Sequence, residues 1–135
     1  MVCSACGSLT ITFAVPDPYM EYVPAAPSAA SFCSRCLTLE ATDSPADVDP
    51  DFSRVSDAFP TRADRAVPLA IALGLCSSLV TNREAIESLF SDAEAAGTDP
   101  LLVINRLCRD PDVEPAIDLY RRAHQLEQLM YDNNG

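Results

Sequence analysis

Two Cys-x-x-Cys pairs, Cys3/Cys6 and Cys33/Cys36, constrain this chain more than any other feature. Two residues between cysteines let one tight turn aim both sulfurs at a single ion, while backbone amides in the turn hydrogen-bond the thiolates. A second such turn facing the first completes a tetrahedral four-thiolate site with metal–sulfur distances of about 2.3 Å. Gly7, directly after the first pair, supplies a permissive backbone at the turn. Residues 7–32 separate the pairs, a longer span than the roughly 15–20 residues common between zinc-binding pairs. The proline-rich stretch 16–31, "PDPYMEYVPAAPSAAS", accounts for the excess. The expectation is a zinc ribbon in which Cys3, Cys6, Cys33 and Cys36 hold one structural Zn2+. A segment this short and this poor in apolar residues does not fold alone, and metal binding supplies the missing free energy. The same four cysteines would suit a rubredoxin-like iron centre, which is the less favoured metal, and a thiol–disulfide switch ranks behind both.

The other two cysteines, Cys76 and Cys108, each stand alone in an apolar helical stretch and read as small buried hydrophobes. His124, the single histidine, sits beside Arg121 and Arg122 with no local partner for proton transfer, and reads as an ordinary helix residue. Ala93, Gly97 and Val103 match the small residue, turn glycine and apolar position of a helix-turn-helix. The following helix, "DPLLVINRLCR", lacks the polar N-terminal face needed to read bases, so a helical hairpin built for packing is expected. Asp43, Asp47, Asp49 and Asp51 lack the glycine and terminal glutamate of a calcium loop and read as solvated acidic surface. No phosphate-binding glycine loop, nucleophile elbow or His-Glu-x-x-His motif is present, and no catalytic residue is expected.

The net charge is -11; all nine basic residues are arginine, and aspartate outnumbers glutamate 13 to 7. Such a surface suits molar salt, where the Debye length falls to ~3 Å and carboxylate repulsion is screened. A halophilic protein is therefore expected, and its acidity then says little about its partner. No basic patch is evident in the sequence, which disfavours a nucleic-acid partner unless arginines such as Arg35, Arg54, Arg62 and Arg65 converge in space. The first residues show neither a basic region nor an apolar run before a cleavage site. The most apolar stretch, 66–80, suits a buried helix better than a membrane span. A cytoplasmic protein is expected, where paired cysteines more often mean metal than disulfide.

Three regions follow: a zinc-ribbon module at 1–42, an acidic docked connector at 43–60 and an α-helical bundle at 61–135. In the first, "LTITFAV" (9–15) reads as a strand, 16–31 as mostly irregular, and 32–40 as a second short strand in which Leu37 and Leu39 alternate with polar residues. In the connector, Phe52, Val55 and Phe59 are too apolar for a free linker. The helices are expected over about 62–80, from a capping box at Thr81 and Glu84, over 100–109 with Asp99 as cap, and to about 131. Gly97 fits the left-handed position after the second helix. Leu119, Ala123, Leu126 and Met130, widened by Leu129, form one apolar stripe. Packing of that stripe on the 66–80 helix of the same chain is preferred to dimerisation, so a monomer is favoured over a homodimer.

The stretches "CSACG", "FCSRCL", "DFSRVSDAFP", "PLAIALGL" and "RRAHQLEQLM" resemble, nearly end to end, an uncharacterised haloarchaeal family containing a zinc ribbon, a domain of unknown function. That resemblance implies a lineage and no activity. Over about 40 residues the cysteine pairs also resemble the zinc ribbons of transcription and translation factors. The expected fold is small α+β: an N-terminal four-cysteine zinc ribbon of β-hairpin knuckles followed by a helical bundle of about four helices. The expected role is a non-enzymatic zinc-binding interaction or regulatory protein with a protein partner, or alternatively a nucleic-acid-associated factor.

Overall fold

A computed structural model describes residues 3–4, 6–23, 28–43, 46–47 and 50–131, with side chains described as far as 128. Among the described residues the fold is small α+β, with a three-stranded antiparallel sheet and four α-helices. Strand β1 (Thr10–Ala14) forms where β-branched residues cluster, and it pairs with β2 (Ala29–Cys33), which pairs in turn with β3 (Leu39–Thr42). The order is β1-β2-β3.

The central strand β2 lies partly within the stretch expected to be irregular. Its prolines end at Pro27, and the alanines and serine that follow carry little strand propensity of their own. All five β2 residues are buried, so pairing on both edges and cover on both faces make the strand. Upstream, Asp17–Tyr22 form a short 3-10 helix with Pro18 in its first turn. The expected alternation of Leu37 and Leu39 also fails. Leu37 has φ +63° and belongs to the turn before β3, and only Leu39 is in the strand.

Phe52, Val55 and Phe59 are buried in the core. Phe52 lies 5.7 Å from Phe13 and 6.1 Å from Phe59, and Phe59 lies 6.0 Å from Phe32, so one aromatic cluster ties this segment to β1 and β2. The acidic run does more than face solvent. Asp47 accepts the Thr12 amide and returns its own amide to the Thr12 carbonyl, which covers the free edge of β1. Asp51 caps a 3-10 turn at Phe52–Arg54 through the Ser53 amide, Asp43 is exposed, and Asp49 lies outside the described residues.

Helix α1 (Ala63–Leu75) is buried on nearly every side and carries Pro68 within it. It stops at Leu75 and not near 80, because Asn82 Nδ2 and the Ser78 amide both reach the Leu75 carbonyl. Helix α2 (Leu79–Ala95) therefore begins before Thr81. Ser78 occupies the cap position, Thr81 is the third helical residue, and the expected capping box is not formed. Burial of Leu79 against the core draws the start forward. Ile86, Leu89, Phe90 and Ala93 are buried as one face. Gly97 takes φ +107° after the helix end, and Asp99 caps α3 (Pro100–Arg109) by accepting the Leu102 amide at 3.2 Å.

Helix α4 (Leu119–Tyr131) is capped by Asp118, whose carboxylate takes the Arg121 amide. Leu119, Ala123 and Leu126 are buried; the side chains of Leu129 and Met130 lie outside those described. The stripe packs within the chain, but α3 is its chief neighbour and not the 66–80 helix, whose cover comes mainly from α2 and β3. One contiguous core takes side chains from the sheet, the 52–59 segment and the helices.

Candidate metal centre

The two cysteine pairs fold into the same turn twice. In the first, the Gly7 amide donates to the Cys3 carbonyl at 2.9 Å and the Cys3 amide to the Ser8 carbonyl at 2.8 Å. In the second, the Leu37 amide donates to the Cys33 carbonyl at 3.2 Å and the Cys33 amide to the Thr38 carbonyl at 3.0 Å. The residue after the second cysteine is left-handed in both, Gly7 at φ +78° and Leu37 at +63°. Antiparallel pairing of β1 with β2 sets Thr10 opposite Cys33 and so brings the two turns side by side. The Ser34 hydroxyl and amide both donate to the Leu9 carbonyl and hold them there.

All four Sγ atoms lie within 4.8 Å of one another. Cys3 and Cys36 are 3.6 Å apart and Cys6 and Cys33 3.5 Å, too far for disulfides and close to the edge of about 3.8 Å in a tetrahedron built on 2.3 Å metal–sulfur bonds. Cys3, Cys33 and Cys36 are buried and Cys6 is exposed. The sulfurs are supplied with donors. The amides of Arg35 and Cys36 each lie 3.4 Å from Cys33 Sγ, and the Thr38 hydroxyl lies 3.1 Å from Cys36 Sγ. The Ser8 hydroxyl, then the Ser8 amide, pull the Cys6 thiol down to about 6. Burial pushes Cys33 up to about 12 and raises Cys36 as well. Burial thus keeps protons on Cys33 and Cys36 unless a cation replaces them, so metal binding here would release protons. The donor set and spacing fit a metal ion held by four thiolates.

A profile of a family of unknown function, DUF6276, matches residues 2–130. The chain belongs to that family. No curated protein and no solved structure matches it.

In this DUF6276 chain the second turn has a backing that sequence reasoning missed. The segment between α3 and α4 runs past it, with the Glu114 amide on the Arg35 carbonyl at 2.8 Å and the Ala116 amide on the Cys36 carbonyl at 3.0 Å. Arg35 and Glu114 also form an ion pair at 2.9 Å. No short-range signal announces these contacts. Ser8 and Thr38 were also passed over, although the signal was there: "CSACGS" and "CSRCLT" place a hydroxyl two residues after each second cysteine.

The remaining candidates fall away from the site. Cys76 is buried, donates to the Ala72 carbonyl, and burial pushes its thiol up to about 12; Cys108 is half-buried and likewise raised by burial. His124 is exposed, its ring edge-on to Tyr120 at 4.9 Å. Ala93 and Val103 are buried, which suits a packed hairpin. Arg35 pairs with Glu114 and Arg54 with Asp51, whereas Arg62 and Arg65 line a common cavity. Among the described residues, no helix is long and apolar enough to cross a membrane.

Proposed function

We propose that Cys3, Cys6, Cys33 and Cys36 ligate one structural Zn2+ and that the protein works without catalysis, through contacts with a protein partner. The observation that carries this reading is the set of four thiols within 4.8 Å on two matching turns. Four protein ligands leave no open position on a tetrahedral ion, which is the structural and not the catalytic type of zinc site. The exposed Leu9 beside the first turn and the exposed Tyr120 on α4 offer apolar contact points. A halophilic, cytoplasmic setting suits the -11 charge and the arginine-only cations. Metal analysis of protein purified without chelator tests the core of the proposal. About one zinc per chain is expected from a closed four-thiolate site, lost in Cys3→Ser and Cys36→Ser and kept in Cys76→Ala. Full zinc in both ribbon variants, or a visible iron–thiolate absorption, refutes it. Melting temperature should rise from 0.2 to 2 M KCl as carboxylate repulsion is screened; a flat or falling curve removes the halophilic part alone.

A further inference from the structure

In a chain with nine cations, three of them line one surface cavity of about 390 Å3: Arg62, Arg65 and Arg106. The cavity lies between the start of α1 and the face of α3 carrying Asp99, Leu102, Val103 and Arg106, residues spaced at three, four and seven along the helix. Arg65 is fixed in place. Its Nε donates to the Ala96 carbonyl at 2.6 Å, and a terminal nitrogen lies 2.9 Å from where a Cβ on Gly97 would stand. The glycine suits its φ of +107°, and a Cβ there would push this guanidinium from its seat. Arg62 leans on Asp64 at 3.0 Å. The Arg106 side chain makes no hydrogen bond or ion pair among the described residues, so its five donors are open.

We propose that this cavity binds the phosphate group of a small molecule. One guanidinium satisfies a carboxylate by a two-bond fork, whereas the several oxygens of a phosphate can engage three guanidinium groups at once. A long polyanion is disfavoured by the net charge of -11 around so small a basic spot. Of the two carboxylates on the lining, Asp99 is committed to the Leu102 amide, while Asp57 is exposed and has no partner among the described residues. Asp57 therefore opposes a bound phosphate, which gives the proposal an opposite-signed control.

The full-length, metal-loaded chain is titrated with inorganic phosphate, and separately with a phosphomonoester, at constant KCl and pH, following backbone amide shifts by NMR. Saturable shifts confined to residues 57–62 and 96–106 are expected. Arg106→Gln should weaken binding on the order of ten-fold by removing a charge-assisted contact, and Asp57→Asn should tighten it several-fold by removing a like charge. Tighter binding of the ester than of phosphate assigns the site to an ester; equal binding assigns it to the free ion. No saturable shift, or an equal response in all three proteins as a general salting effect would give, overturns the proposal. So does a single-stranded oligonucleotide that binds the same residues more tightly than either probe. None of these outcomes depends on the metal, so this site and the four-thiolate reading stand or fall separately.

Discussion

The two cysteine turns share backbone geometry and differ in what backs them. Among its described residues the first buries only Cys3: Cys6 and Gly7 are exposed, and a Cβ added to Gly7 would meet nothing within 4 Å. The second is sunk into the protein. Cys33, Cys36 and Leu37 are buried, and the α3–α4 segment holds the carbonyls of Arg35 and Cys36. Identical local chemistry thus has two structural roles. The first turn brings thiols to the cluster, while the second also joins the cluster to the helical core.

Replacing one cysteine of each turn should break this comparison most sharply. Cys33→Ser and Cys3→Ser each remove a thiol from the proposed zinc site, whose metal would contribute on the order of 10 kcal/mol of apparent binding energy. Cys33→Ser should additionally speed amide hydrogen exchange at Glu114 and Ala116, whereas Cys3→Ser should leave those amides closer to wild type. Equal exchange in the two variants would show that the second turn does not anchor the helices.

Gly74 of α1 faces Leu39, the first residue of β3 after the second turn, and an added Cβ would lie 2.5 Å from Leu39 Cβ. Gly74→Ala should cost about 1–3 kcal/mol by overpacking, measured by denaturant melting, with part restored in a double variant by Leu39→Gly, which removes the Cβ that is met first. Strict additivity of the two changes would mean that the close approach carries no energy.

The left-handed residues separate backbone from packing. Gly7→Ala should cost only about 1 kcal/mol, because the space is open and the strain is that of φ alone. Leu37→Ala keeps the φ and loses buried side chain, for about 2–5 kcal/mol. A larger loss at Gly7 than at Leu37 would reverse the assignment of outer and inner turns.

The smallest effect is expected where the 52–59 segment meets the end of α3. The Ser56 hydroxyl donates to Asp110 at 2.5 Å and, with the Asp112 amide, holds the Asp110 carboxyl below its usual range. Its contribution is present above about pH 4 and is lost as pH falls through the lowered value. Ser56→Ala should lower stability at neutral pH and flatten the decline below pH 4, so the two stability curves converge in acid. Parallel curves would show that this contact carries no proton linkage.

Where the deciding interaction spans four or five residues, the sequence by itself determined the outcome, except at the Thr81–Glu84 box. The cysteine turns, the Asp99 cap, the Gly97 helix stop, strand β1 and the buried faces of α2 and α4 are of this kind, because hydrogen-bond partners and side-chain periodicity are close in the chain. Tertiary structure alone decided the rest. β2 is a strand because two neighbours pair with it and the core covers it, which outweighs the weak propensity of its alanines. Leu37 accepts a left-handed backbone because the turn demands one there and burial of its side chain offsets the strain. Helix α2 starts before its capping box because Leu79 is drawn into the core. The gathering of Arg62, Arg65 and Arg106 at one cavity, and of Glu114 and Ala116 at the second cysteine turn, joins residues far apart in the chain. Contacts of that range are selected by the shared burial of a whole core, a property that no local window of sequence contains.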